Sequence, residues 1–212
     1  MSSERRWSIT CELAIPVAER LAAMADDLDV PLRHVGVDAR WVAPERVRLL
    51  LGSGPLGADG AGSDSADEEA VRHALSGLAS SFGPLTFGLR ALALRPEGEP
   101  PRLLVGLVDP GAEDVVARRQ WLREQLRPGL LDPATGDGAA PEEAGESGPV
   151  EAWVLVGRLW SKERPDLAGM GSEPVTLGTT RCREVGLVVH EATRTGPRWR
   201  TLVRRPWSMP AA

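Results

Sequence analysis

Apolar and strand-forming residues alternate weakly from Trp7 to Ile15 until Pro16 interrupts them, a pattern that predicts an opening strand. From Val17 to Leu28 the apolar spacing lengthens to three and four. Val17, Leu21, Met24, Ala25 and Leu28 then share one face, with Glu19, Arg20, Asp26 and Asp27 off it, which predicts an amphipathic helix. Two short strands follow, at Arg40 to Val42 and Arg46 to Leu51, around the turn of Ala43, Pro44 and Glu45. Period-two geometry in the second puts Val47, Leu49 and Leu51 on one face and Arg46, Arg48 and Leu50 on the other.

The stretch from Gly52 to Ala66 is rich in Gly, Ser and Asp and reads as a loop. Ser65 and Glu68 have the S-x-x-E form of a capping box, opening a helix that runs to about Ser81. Strands are expected at Leu85 to Leu94 and Arg102 to Val108, with a turn-rich segment between them. Asp109 and Pro110 read as an N-cap and first helical residue, starting a helix that ends before Pro128. Gly129 to Pro149 is poor in apolar residues and reads as a mobile loop. Val150 to Trp160, Arg181 to Thr193 and Arg198 to Val203 are strand-like.

The predicted order is thus β α β β α β β α β with at least two further strands. Helices separating strand pairs indicate an α+β protein with helices packed outside largely antiparallel sheets. The two halves have similar content, so the expectation is one bilobal domain over residues 1–212, with two lobes facing a central cleft.

With 212 residues, 42% of them hydrophobic, the chain can bury a core of useful size, which excludes a disordered or coiled-coil protein. No apolar run approaches a membrane span and the N-terminus carries no apolar signal core, so the expected location is cytoplasmic, with no membrane partner. Cys11 and Cys182 stand singly at opposite ends, a pattern for neither a zinc site nor a disulfide framework, and are expected as buried free thiols. The net charge of −5 argues at first against a phosphate-rich partner. Residues 52–69 and 129–149, however, each hold five acids and no base. Setting those ten aside leaves 20 acids against 25 bases, so the average does not exclude an anionic ligand.

Gly52, Gly54 and Gly57 have the spacing of G-x-G-x-x-G, but that phosphate loop requires its third glycine to open a helix, and here the capping signal comes only at Ser65. His34, His73 and His190 stand in no metal-binding pattern, and neither a G-x-S-x-G elbow nor a Walker-type loop is present. No metal or cofactor is expected. The arginines are more informative: Arg181, Arg183, Arg194, Arg198, Arg200, Arg204 and Arg205 face only Glu184 and Glu191 within the last 32 residues. They form either a solvated strand face or an anion-binding rim.

The segment Trp7 to Pro16 with its helix, the run Arg40-Trp41-Val42-Ala43-Pro44-Glu45, the strand pair Pro84 to Arg90 and Arg102 to Val108, and the closing hairpin Val185 to Glu191 with Gly196 to Leu202 together cover most of the chain. In this arrangement they resemble the 2H phosphoesterase superfamily, in particular the bacterial RNA 2′,3′-cyclic phosphodiesterases also called 2′-5′ RNA ligase-like proteins. The resemblance implies a bilobal fold in which each half supplies one H-x-T strand. The two histidines would act as general base and general acid on a phosphodiester, and the threonines would hold its oxygens.

By the same resemblance the first H-x-T falls on Arg48, Leu49 and Leu50 and the second on Trp153, Val154 and Leu155. Both histidines and both threonines are missing, and the Arg48 guanidinium stays protonated and cannot serve as a base. The expectation is a catalytically degenerate member that binds RNA, a nucleotide or a protein partner through the former active-site cleft. Arg46, Arg48 and Leu50 would face the cleft from one lobe and Trp153 and Leu155 from the other, with Arg158 pointing away. Two alternatives stay open: an active cyclic phosphodiesterase in which His190 or His34 reaches the cleft, and a pure protein-interaction module.

Overall fold

The structure, a computed structural model, describes residues 5–57, 63–95, 103–132, 152–161, 177–193 and 196–208. In chain order its elements are β1 (Arg5–Glu12), α1 (Ile15–His34), β2 (Val37–Trp41), a 3-10 turn (Pro44–Arg46), β3 (Arg48–Leu56), α2 (Ser63–Ser81), β4 (Leu85–Arg95), β5 (Leu103–Val108), α3 (Ala112–Gln125), β6 (Trp153–Ser161), β7 (Gly178–Cys182), β8 (Glu184–Thr193) and β9 (Gly196–Pro206). All pairings between these strands are antiparallel.

Alternation along β1 fixes the layering. Trp7, Ile9 and Cys11 are fully buried and point toward the helices, as do Leu49 and Leu51 of β3 and Leu187 and Val189 of β8. The strands form two quartets, β3-β1-β8-β9 and β7-β4-β5-β6, with β2 beside β6. The quartets meet through one register pair, Leu49 with Val154. Helix α1 covers β2, β6 and β7, α2 covers β3, β8 and β9, and α3 packs on α2, β3 and β4. This is the expected α+β arrangement, with two antiparallel halves and helices outside.

Several boundaries differ from the sequence expectation. Helix α1 runs six residues past Leu28, through Pro31, because Leu32 continues the apolar spacing and is buried. Strand β3 begins at Arg48, not Arg46, and continues through Gly52 and Gly54 to Leu56, where a loop was expected. The glycines there serve close packing: a Cβ on Gly54 would collide with the Leu130 carbonyl, and one on Gly52 would press on Leu131, Leu122 and Trp7. The G-x-G-x-x-G run is therefore mostly strand.

Helix α3 starts at Ala112, after Gly111 at φ 96°, while Asp109 and Pro110, joined by a cis peptide, hydrogen-bond to the backbone of Gly88 in place of capping a helix. The apolar run Arg181 to Thr193 is divided at Arg183, and its two parts belong to different quartets. Residues 58–62 and 133–149 of the two acidic segments lie outside the described residues. Within the described part, Asp67 is buried and accepts from Arg127 at 2.5 Å and from the Gly57 backbone, Glu68 pairs with Arg72 and Arg5, and Asp132 pairs with Arg6. Asp67 and Glu68 lie in the first turns of α2, as the capping signal implied, and Asp132 lies at the start of the second acidic segment.

Candidate functional site

Since Trp7, Ile9 and Cys11 point to the helices, Arg6, Ser8, Thr10 and Glu12 of β1 face the concave side of the sheet. Register then writes out that surface in cross-strand rows. Arg6 lies beside His190 and Trp199, Ser8 beside Val188 and Thr201, and Thr10 beside Leu50 on one side and Gly186 and Arg204 on the other. Glu12 is the partner of Arg48. A bulge in the β1–β3 ladder leaves Leu51 as the extra residue. The buried Arg119 of α3 donates from Nε and Nη2 to the Leu50 carbonyl at 3.3 and 2.9 Å, holding this part of β3 from behind.

At the lower end of these rows is a cavity of about 370 Å³, whose lining includes Thr10, Glu12, Arg48, Arg181, Arg183, Glu184, Thr201 and Arg204. Four guanidinium groups thus oppose two carboxylates. Glu12 Oε1 accepts from Arg204 Nη2 at 2.7 Å and pairs with Arg48 Nη2 at 3.4 Å. The buried Nε of Arg48 has no hydrogen-bond partner among the described residues. The cavity forms where the chain crosses between quartets at Arg183. There the Ala14 N–H donates to Thr180 Oγ1 at 3.3 Å, and Cys182 Sγ donates to the Glu12 carbonyl at 3.1 Å. Cys11 and Cys182, far apart in sequence, share a hydrogen bond in the buried layer beneath, and together with burial it pushes the Cys11 thiol well up.

Of the residues singled out from the sequence, Arg48 enters this cavity. Leu50, Trp153 and Leu155 do not line it. They are half-buried beside the Leu49–Val154 junction, and on β5 the register partners of Trp153 and Leu155 are Leu107 and Val105, so this side of the cleft is apolar. Arg46 is exposed in the 3-10 turn before β3 and lies outside the cavity, contrary to its expected place on a strand face. Arg158 is exposed, across from Arg40. The C-terminal arginines separate: Arg181, Arg183 and Arg204 converge on the cavity, Arg198 is the partner of Glu191, and Arg194 lies outside the described residues. Thr10, Glu12 and Arg204 had no local signal linking them to Arg48, since only the sheet order makes them neighbours.

Among the three histidines, His190 alone lies on the concave face, where its Nε2 and Ser8 Oγ are 2.9 Å apart and its ring leans on Trp199 with centroids 3.8 Å apart. Burial, then the charges of Arg6 and Arg48, lower its pKa from 6.5 to about 4, so the imidazole is neutral near pH 7. His34 and His73 are exposed on α1 and α2. No group of three His, Cys, Asp or Glu side chains gathers among the described residues in a way that could hold a metal ion. No described helix is long and apolar enough to cross a membrane.

No protein-family model matches the chain, and no curated protein sequence does. Solved structures do match over nearly the whole length. TT0787 of Thermus thermophilus is 19% identical with a TM-score of 0.63, covering 95% of this chain and 97% of its own. Apo LigT of E. coli is 17% identical with a TM-score of 0.59, covering 98% and 100%, and Kluyveromyces marxianus Usb1 is 11% identical with a TM-score of 0.52, covering 93% and 97%. LigT is also known in complexes with 3′-AMP, phosphate, ATP and NADP+. The chain has the fold of the 2H phosphoesterases, as its sequence segments implied.

Proposed function

We propose that this chain is a catalytically degenerate protein of 2H phosphoesterase fold that binds a nucleotide, or the phosphate of a short RNA, without hydrolysing it. The observation that carries this reading is the meeting of Arg48, Arg181, Arg183 and Arg204 in one cavity, and the sequence resemblance aligns Arg48 with the family's first histidine. Guanidinium groups offer planar paired donors to phosphate oxygens, and the hydroxyls of Thr10 and Thr201 add neutral ones. The cavity volume falls within the range of small-ligand sites. The nucleotide complexes of LigT give the ligand class by analogy.

Arg48 cannot take a proton from water, and neither Trp153 nor the leucines can move one. A relocated hydrolytic site is the second reading, favoured by His190 on the concave face with Ser8 bonded to it. A group with a pKa of about 4 is a weak base at neutral pH, and this imidazole has no second one beside it among the described residues to act as acid. The first reading therefore stands ahead.

Calorimetric titration with 3′-AMP tests it, and Arg48→Ala should weaken binding by about tenfold or more, the worth of a charge-assisted hydrogen bond. Incubation with a 2′,3′-cyclic nucleotide should give no turnover above a buffer blank. Turnover abolished by Arg48→Ala would overturn the reading, and turnover abolished by His190→Ala would establish the second one.

A further inference from the structure

The two cysteines of the chain lie near its opposite ends, on strands β1 and β7, which are not ladder neighbours and belong to different quartets. Both are buried free thiols. Yet they share a hydrogen bond, and Cys182 Sγ reaches the carbonyl of Glu12, the residue after Cys11, at 3.1 Å. The two sulfurs therefore already meet where the chain crosses between its halves. Their surroundings differ. Cys182 forms part of the wall of the arginine cavity, between Arg181 and Arg183, with Arg48 and Arg204 in the same wall. Cys11 is fully buried and does not line the cavity. Its hydrogen bond with Cys182, then burial, keep the Cys11 thiol protonated at neutral pH. Reactive cysteines sit in electropositive places that a solute can reach, and inert ones in apolar burial, so this pair joins one thiol of each kind.

We infer that Cys11 and Cys182 are a reversible redox site, in which a peroxide entering the arginine cavity oxidises Cys182 and Cys11 then closes a disulfide between the two halves. In the first step the Cys182 sulfur attacks one oxygen of hydrogen peroxide and the O–O bond breaks. The departing hydroxide takes the thiol proton, which leaves water and a sulfenic acid on Cys182. The guanidinium groups of the cavity stabilise that hydroxide as it forms. In the second step the Cys11 sulfur attacks the sulfenic sulfur, the S–O bond breaks, and hydroxide leaves with the Cys11 proton as a second water. Two thiols are oxidised and one peroxide is reduced, and a dithiol reverses the change by exchange. The site does not depend on what else the cavity binds.

The test treats the reduced, folded full chain with hydrogen peroxide in native buffer, then unfolds it, alkylates any remaining thiols with N-ethylmaleimide and weighs it. Wild type should lose the mass of two hydrogens and take up no maleimide, proteolysis should give one peptide pair joined through Cys11 and Cys182, and dithiothreitol should restore two alkylated thiols. This readout needs no variant, so it stands whether or not a substitution in the buried layer is tolerated. Cys11→Ser should stop at an oxidised Cys182 sulfur. Cys182→Ser and Cys182→Ala should each leave Cys11 reduced and alkylatable under the same treatment. Two alkylatable thiols in wild type after a treatment that fully oxidises free glutathione, a link between two chains, or a link that forms only in urea would overturn the site. Oxidation of Cys11 at the wild-type rate in the Cys182 variants would overturn the entry through the cavity.

Discussion

Glu12 decides how strongly the cavity can hold an anion. Its carboxylate already occupies Arg204 and Arg48, so an incoming phosphate must compete with it. Glu12→Gln removes that competitor and should tighten phosphate binding several-fold, read by the same calorimetry, whereas a cavity that binds no anion would show no change. His190 gives a second residue-scale outcome. Its pKa is about 4 when folded and near 6.5 when unfolded. As pH falls from 6.5 toward 4, the unfolded chain takes up a proton here that the folded chain refuses. The residue's contribution to stability is thus complete above pH 6.5 and declines through that window. Wild type should lose more stability between pH 6.5 and 4 than His190→Gln, followed by thermal unfolding, and Arg48→Ala should raise the imidazole pKa, followed by NMR titration. Sequence pattern could show that Arg48 lies on the face opposite Leu49. It could not show which residues of β1, β7 and β9 surround Arg48, because these neighbours are separated from it by tens to more than a hundred residues and are set by strand order.

The elements were legible where the residues repeat with one period. The opening strand, the helix after it and the strand pair β4–β5 follow directly from alternation and from three-four spacing. Glycine misled the reading of β3, since residues that commonly mark loops here make room for other chains of contact. Trp7 Nε1 donates to the Leu130 carbonyl at 2.9 Å across the space that Gly54 leaves open. Gly54→Ala should push that carbonyl away and cost about 1–3 kcal/mol, measured by urea unfolding, and an unchanged midpoint would mean that the segment after α3 shifts freely. The division of Arg181 to Thr193 was also hidden, because a strand that leaves one sheet and a strand that enters the next have the same alternation. Only Arg183, exposed between the buried Cys182 and the turn into β8, marks the crossing.

At the scale of the whole molecule the pseudo-symmetric plan was visible in the sequence, while the unequal use of its halves was not. The first quartet carries polar rows on its concave face, and the second presents Val105, Leu107, Trp153 and Leu155. The sequence reading set its candidate residues at the centre of the cleft, whereas the arginine cavity lies at the crossing between the quartets. Asp67, Glu68 and Asp132 neutralise Arg127, Arg72 and Arg6 within the fold, and the carboxylates that line the cavity with its arginines are Glu12 and Glu184.

The passage at Arg183 has one more effect. A single residue links β7 to β8, Cys182 is bonded to the end of β1 and Thr180 to Ala14 just after it, while the opposite seam is fastened at Leu49 and Val154. Two halves joined on both flanks have little freedom to swing. A ligand arriving at the arginines would meet a receptor set before it comes, so association would be fast and would leave the scattering envelope of the protein unchanged.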